Sequence, residues 1–91
     1  MSGFSLRKPY TMPRREIRKA AEGLVERLQK EHPVRCEWHG DSVRLKGAGV
    51  AGKLSFEGDV IDVSVKLGML MRPFQKPLKA EVQRYLDEHV Y

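Results

Sequence analysis

The sequence predicts an α+β fold, a two-layer sandwich in which two helices pack on one face of an antiparallel sheet, in the order β-α-β-β-β-β-α. In two segments, one in the N-terminal third and one at the end, apolar residues recur with the period of a helix. Between them, apolar and polar residues alternate with period two, as in strands with one buried face. At 91 residues the chain suffices for one domain, 1–91, with one thin core.

The first strand and the first helix are predicted from the N-terminal third. Phe4 and Leu6 alternate with polar residues, a strand pattern that stops at Pro9. We expect Thr11 to be the N-cap of a helix from about residue 12 to 31, because a single apolar stripe follows it. The stripe consists of Ile17, Ala20, Ala21, Leu24, Val25 and Leu28.

Four further strands read as an antiparallel meander, with turns that contain Gly40-Asp41, Gly47-Ala48-Gly49 and Gly58-Asp59. Their polar residues define one exposed face of the sheet, and their apolar residues face the helices. The exposed face carries Arg35, Glu37, Arg44, Lys46, Lys53, Asp62 and Lys66. We expect the core to be filled by four aromatic residues, Trp38, Phe4, Phe56 and Phe74.

The second helix is predicted after Gly68, where apolar residues return to helical spacing. Pro77 deep inside a helix would remove a hydrogen bond and cost about 3 kcal/mol or more. We therefore expect a short turn near 69–75 and a main helix from about 76 to 89, and the two joined as one kinked element are the alternative.

Charge is distributed unevenly along the chain, whose net charge is +5. Residues 1–35 hold nine basic and four acidic side chains, a surplus of five that equals the whole net charge. This bias is compatible with an anionic partner. No apolar segment has the length of a signal peptide or a membrane span, and the single Cys36 excludes an intramolecular disulfide, so we expect a cytoplasmic protein.

Arg14, Arg15, Arg18 and Lys19 form a candidate anion-binding site at the start of the first helix. The helix macrodipole disfavours cations at this end, and a bound anion would compensate by accepting hydrogen bonds from free backbone N–H groups. The alternative is a solvated face relieved by helical pairs such as Arg18 with Glu22. Nucleic acid is the weaker choice of anion, because the exposed sheet face lacks aromatic residues on which bases stack.

Two motifs that suggest cofactor or metal chemistry do not have the required structural context. Residues 47–53 match G-x-G-x-x-G and most of a P-loop, but they lead into a strand instead of a helix, so we predict no nucleotide cofactor. Cys36 and His39 have metal-like spacing, yet three residues apart in a strand they point to opposite faces. We predict no metal site, no other cofactor and no catalytic residue.

Met69, Leu70 and Met71 form a candidate apolar contact ahead of Pro73. Methionine and leucine at the entry of a helix can serve an adaptable binding surface, and core filling is the alternative use.

The assembled pattern resembles the polyhydroxyalkanoic acid system family of small bacterial proteins, encoded beside polyester granule genes. The residues that carry the resemblance are Trp38-His39-Gly40-Asp41, Gly49-Val50-Ala51-Gly52, the run 65–70, Pro77-Leu78 and Tyr85-Leu86-Asp87. The resemblance extends from about Phe4 to Leu86; it departs from the family at Lys8-Pro9-Tyr10, where a stretch containing His is expected.

The resemblance implies a cytoplasmic accessory protein of polyhydroxyalkanoate metabolism, and it carries over no catalytic residue. Our leading hypothesis is a non-enzymatic protein that acts at polyester granules, directly on the surface or through a granule protein. The alternative is a soluble anion-binding module, for a phosphate-bearing ligand or nucleic acid, that uses the basic N-terminal third, and an enzyme ranks third. The sequence leaves the oligomeric state open.

Overall fold

The computed structural model describes residues 2–91 and confirms the predicted α+β class. One open sheet of five antiparallel strands has the order β1-β5-β4-β3-β2, so the connection from β1 to β2 crosses the whole sheet. The strands are β1 (Ser2–Pro9), β2 (Val34–His39), β3 (Ser42–Gly47), β4 (Val50–Ser55) and β5 (Val60–Leu67). The helices are α1 (Arg14–Glu31), a 3₁₀ helix (Met69–Phe74) and α2 (Gln75–His89).

The start of α1 differs from the prediction, because Pro13 and not Thr11 is the N-cap. The carbonyl of Pro13 accepts hydrogen bonds from the N–H groups of Glu16 and Ile17, at 2.9 and 3.0 Å. The N–H of Thr11 instead donates to the carbonyl of Tyr91 at 2.8 Å. The end of the chain therefore holds this segment extended, and the helix starts two residues later than expected.

The predicted division of the last segment is confirmed. The 3₁₀ helix ends at Phe74 and α2 follows directly. Pro77 is the third residue of α2, where a backbone N–H has no partner within the helix, so the proline removes no hydrogen bond.

The core lies between the helices and one face of the sheet. The whole apolar stripe of α1 is buried, and Phe56 is the largest fully buried side chain. Trp38 faces the same side from the edge strand β2, half-buried, with its ring 6.5 Å from that of Phe56. The prediction that Phe74 fills the core is wrong, since it is 52% exposed. Phe74 belongs to the 3₁₀ helix, whose tighter period interrupts the stripe on which the prediction rested.

The two helices approach closely at Gly23 of α1. The hydroxyl of Tyr85 crosses this residue and donates to the carbonyl of Ala20 at 2.7 Å. A Cβ at position 23 would collide with that hydroxyl. Gly23 thus permits a buried tyrosine of α2 to bond to the backbone of α1. No helix in the described part of the chain combines the length and apolar character that crossing a bilayer requires.

Candidate functional site

The 3₁₀ helix exposes three large apolar side chains at one end of the sheet. Met69 is 85% exposed, Leu70 is 92% exposed and Phe74 is the third. We call these three residues the apolar tip. Met71, the remaining member of the predicted apolar contact, turns inward and packs partly buried against the core. The structure therefore separates the predicted trio into two exposed residues and one anchor, and their role in binding stays a prediction.

The apolar tip is fixed to the sheet by its backbone. The N–H of Gly68 donates to the carbonyl of Gly49 in the β3–β4 turn at 2.8 Å, and the side-chain amide of Gln75 donates to the carbonyl of Gly3 in β1 at 2.9 Å. Gly49 has a φ of 75°, and a Cβ there would lie 2.9 Å from Cγ of Met71. The turn, the anchor and both ends of the 3₁₀ helix thus hold the backbone that carries the exposed side chains in place.

A groove of about 500 Å³ lies beside the tip and is lined by Met69 together with residues of the sheet. Three of its lining residues are the cations Lys46, Lys66 and Arg72, and none is acidic. None of these three cations has a carboxylate within ion-pair distance in the described part of the protein. The groove therefore joins an exposed apolar side chain to uncompensated positive charge.

The strand register aligns the sheet cations in a row next to the tip. Arg35 lies directly opposite Lys46, Lys46 opposite Ala51, and Ala51 opposite Lys66. We call Arg35, Lys46 and Lys66 the cation row. Like charges directly opposite each other destabilise a sheet, so the facing pair of Arg35 and Lys46 has an electrostatic cost.

The next row of the open face again holds two facing cations, but here Glu37 lies opposite Arg44 on its other side. Arg44 lies directly opposite Lys53, and both are exposed on the open face. Sequence analysis placed all of these cations on one face but missed the row. The two-residue turn after His39 fixes the pairing of Arg35 with Lys46. This part of the row could therefore have been predicted from the length of the turn.

The predicted anion-binding residues lie on the first turns of α1 but do not all point the same way. Arg14 forms an ion pair with Asp41 of the β2–β3 turn. Arg18 lies 3.4 Å from Glu22, and its guanidinium covers the ring of Trp38, 5.0 Å from the centroid.

Arg15 and Lys19 are exposed on an adjacent strip of α1, and the described residues offer neither of them an ion-pair partner. The four cations are thus divided between a strip that meets the β2–β3 turn and a strip that faces solvent. Whether they bind an anion stays a prediction.

A cluster that sequence analysis missed links the end of α1 to α2. Nε2 of His32 lies 3.7 Å from Oε2 of Glu81, and the ligand atoms of Glu31, His32 and Glu81 all lie within 4.8 Å of one another. Nε2 of His32 and Oε1 of Glu81 are buried without a hydrogen-bond partner. Burial, then a hydrogen bond with the Glu31 carboxyl and its charge, raise the pKa of Glu81, and His32 offsets part of the rise.

These residue types bind divalent cations as well as protons, but nothing besides their proximity points to an ion. Residues 31 and 81 are fifty positions apart, so no local pattern could have joined them. A small cavity of about 30 Å³ lies near His32 and reaches Met71 and Phe74. The cavity is lined mostly by apolar groups. Its volume is enough for about one or two water molecules and too small for an acyl chain.

Comparison with known proteins identifies a family. Residues 5–90 match the family model described as "Putative polyhydroxyalkanoic acid system protein". Searches of the curated proteins and of the solved structures return no significant match. The family match covers nearly the whole chain, including the sheet, both helices and the apolar tip, and it confirms the resemblance found in the sequence. The chain therefore belongs to the polyhydroxyalkanoic acid system protein family.

Proposed function

We propose that this protein is a non-enzymatic accessory protein of polyhydroxyalkanoate metabolism that attaches to the polyester granule through its apolar tip. Family membership supports the association with this polymer. The observation that carries the attachment is the exposure of Leu70, at 92%, on a 3₁₀ helix that the sheet holds in place. The proposal places the protein in the cytoplasm, where polyester granules form.

The chemistry of the tip suits a polyester surface. Burying a Met or Leu side chain against an apolar phase stabilises by roughly 1.5–3 kcal/mol, so Met69 and Leu70 together supply useful affinity. Ester carbonyls accept hydrogen bonds and donate none, whereas Lys and Arg side chains only donate. The cations that line the groove beside Met69, such as Lys66 and Arg72, can therefore donate to acceptor groups at the granule surface, whether these belong to the polymer or to a layer that covers it.

The positions of the reactive side chains support a role without catalysis. Cys36 packs against the core from β2, whereas His39 lies toward the open face with Nε2 3.1 Å from Oε1 of Glu37. A thiol and an imidazole on opposite faces of a strand cannot form a nucleophile and its base.

Fractionation of a polyester-accumulating cell tests the attachment. We expect the protein to be enriched on purified granules and the double variant Met69→Ser/Leu70→Ser to move to the soluble fraction. Tyr91→Ser is the matched control, because Tyr91 is also a large exposed side chain, at 66%, and lies outside the tip. A wholly soluble distribution of the unaltered protein in granule-rich cells would overturn the proposal.

Two further measurements separate the remaining alternatives. Purified protein added to granules stripped of other proteins should bind, and binding only to unstripped granules would replace direct attachment by a granule partner. Purified protein should show no acyl-CoA thioester turnover above background. Turnover that Cys36→Ser abolishes would make this protein an enzyme.

A further inference from the structure

We propose that the surface met by the apolar tip is an anionic phospholipid layer, whose headgroups contact the cation row while Met69 and Leu70 enter its apolar interior. This inference rests on the proposed function, since it names the chemistry of the surface to which the tip attaches. It follows from the position of the cations relative to the tip and from the distribution of charge over the rest of the sheet.

Positive charge and apolar surface are continuous at this end of the molecule. Met69 lines one groove together with Lys46, Lys66 and Arg72. Arg35 extends the same row to the edge strand β2, so the row spans four strands, or about 14 Å at the usual strand spacing. A row of that width touches several lipid headgroups at once.

Charge on the open face becomes balanced with distance from the tip. The row nearest the tip holds three cations and no acid. In the next row, Arg44 and Lys53 share the sheet with Glu37.

Further along the strands, Nε of Arg7 lies 2.7 Å from Oδ1 of Asp62 and forms an ion pair. His39, at the same end of the sheet, lies beside Glu37. The open face is therefore polarised, and its uncompensated end is the end that carries the apolar tip.

The cost of the facing cations also points to an external anion. Arg35 and Lys46 repel each other across β2 and β3, and no carboxylate of the described chain is paired with either. A headgroup phosphate between the two side chains would accept charge-assisted hydrogen bonds from both and so offset their repulsion.

A lipid layer explains the whole surface better than nucleic acid does. Among the described residues the open face carries no Phe, Tyr or Trp on which bases stack, and its uncompensated cations are concentrated at one end instead of following a track. A polyanion would also leave Leu70 in water. Apolar side chains flanked by Lys and Arg are the combination with which peripheral proteins bind anionic lipid surfaces.

Vesicle flotation tests the inference. We expect the protein to float with vesicles of phosphatidylcholine and phosphatidylglycerol, and to bind vesicles of phosphatidylcholine alone more weakly by about 30-fold or more. Added salt should weaken binding to the mixed vesicles. Lys46→Gln/Lys66→Gln should weaken it about 30-fold, because each cation near an anionic surface contributes about fivefold. Leu70→Ser should weaken binding to both kinds of vesicle.

The matched control is Arg44→Gln/Lys53→Gln, which removes the same charge from the same face one row farther from the tip. Equal losses from both double variants would show attraction by net charge and overturn the assignment. Thermal melting of each variant excludes unfolding as the cause.

The remaining outcomes separate this inference from the proposed function. Enrichment on granules without binding to anionic vesicles overturns the lipid inference and leaves the granule function standing. Vesicle binding without granule enrichment overturns the proposed function and keeps the lipid surface. Binding to duplex DNA or to polyglutamate as tight as to mixed vesicles, and insensitive to Leu70→Ser, would identify a polyanion as the partner and overturn the inference.

Discussion

The start of α1 and the cation row are both basic, but the fold compensates part of the charge of the first and none of the second among the residues described. Arg14 has Asp41 as its partner, and Arg18 has both a glutamate and an aromatic ring. In the cation row, Lys46 faces Arg35, and no member has an ion pair among the residues described. The region with the larger charge surplus in the sequence is thus the better compensated one in the structure.

The difference arises because charge partners come from elements that are distant in sequence. Asp41, Asp62 and Asp87 belong to a turn, a strand and the last helix, and each pairs with a cation from the N-terminal third. Counting charges along the chain locates the surplus but not the unpaired charge. The part of the surface that attracts an anion is set by topology.

The largest expected effect comes from the ring that holds Arg18. Trp38→Ala should destabilise the protein by about 2–4 kcal/mol, somewhat less than for a fully buried tryptophan, because Trp38 is half-buried on an edge strand. Chemical denaturation measures this change. Trp38→Phe is the control and should retain most of the stability, since a ring remains against Phe56. Near-native stability of Trp38→Ala would mean that the contacts of the Trp38 ring with Phe56 and Arg18 contribute little to the free energy of unfolding.

The ion pair at the start of α1 predicts a smaller loss. Arg14→Gln should lower the free energy of unfolding by roughly 0.2–1 kcal/mol, the range for an exposed pair. Arg15→Gln is the control and should be neutral or slightly stabilising, because it removes a cation that opposes the helix dipole. Equal effects from the two changes would show that Asp41 does not select Arg14 in solution.

The same arginines decide whether α1 begins an anion site. Since the fold already engages Arg14 and Arg18, we expect inorganic phosphate to raise the melting temperature no more than chloride at equal ionic strength. A phosphate-specific rise that disappears in Arg14→Gln/Arg15→Gln would establish the anion-binding alternative and remove the contrast between the two basic regions.

Removing a cation from the cation row should change the free energy of unfolding in the opposite direction. Lys46→Gln should raise the free energy of unfolding by about 0.2–0.5 kcal/mol, because it relieves the repulsion with Arg35. Lys66→Gln is the matched control, since Lys66 lies opposite Ala51 and Gly3 and should change little. High salt should abolish the gain. A loss of stability in Lys46→Gln would mean that the row is compensated within the fold.

Features set by local periodicity were predictable from the sequence. Both helices, the meander, the exposed face and the division after Phe74 follow from spacing and from the rule on proline. Features set by distant partners were not. The N–H of Thr11 donates to the carbonyl of Tyr91, so Pro13 caps the helix instead, and β1 pairs with β5 through residues that are 51 to 65 positions apart.

The candidate site shows the same limit. The sequence identified the apolar segment because Met69, Leu70 and Met71 stand at the entry of the last helical segment, ahead of Pro73. It could not tell that Met71 turns inward, since that depends on the approach of Gly49 from another turn. The cluster of His32 and Glu81 escaped detection because it joins two helices that pack only in the folded chain.

The smallest expected effect concerns Lys8, a further cation of the N-terminal third that the fold engages. Its Nζ donates to Oδ1 of Asp87 at 3.2 Å, and Gln83 donates to the same oxygen at 3.1 Å. The hydrogen bond from Lys8, then that from Gln83, lowers the pKa of Asp87 below its ordinary value of 3.8. A carboxyl with a lowered pKa in the folded state adds stability above that ordinary value, and this contribution disappears as the pH falls through the folded pKa.

An NMR titration of the Asp87 carboxyl measures this pairing directly. Lys8→Met should raise the pKa of Asp87 toward 3.8, and Gln83→Ala should raise it by less, since Lys8 is the larger cause. The stability of Lys8→Met should approach that of the unaltered protein in acid, where Asp87 is protonated in both. If Lys8→Met leaves the pKa of Asp87 unchanged, Lys8 is unpaired in solution. Lys8 would then be as available to an external anion as the members of the cation row.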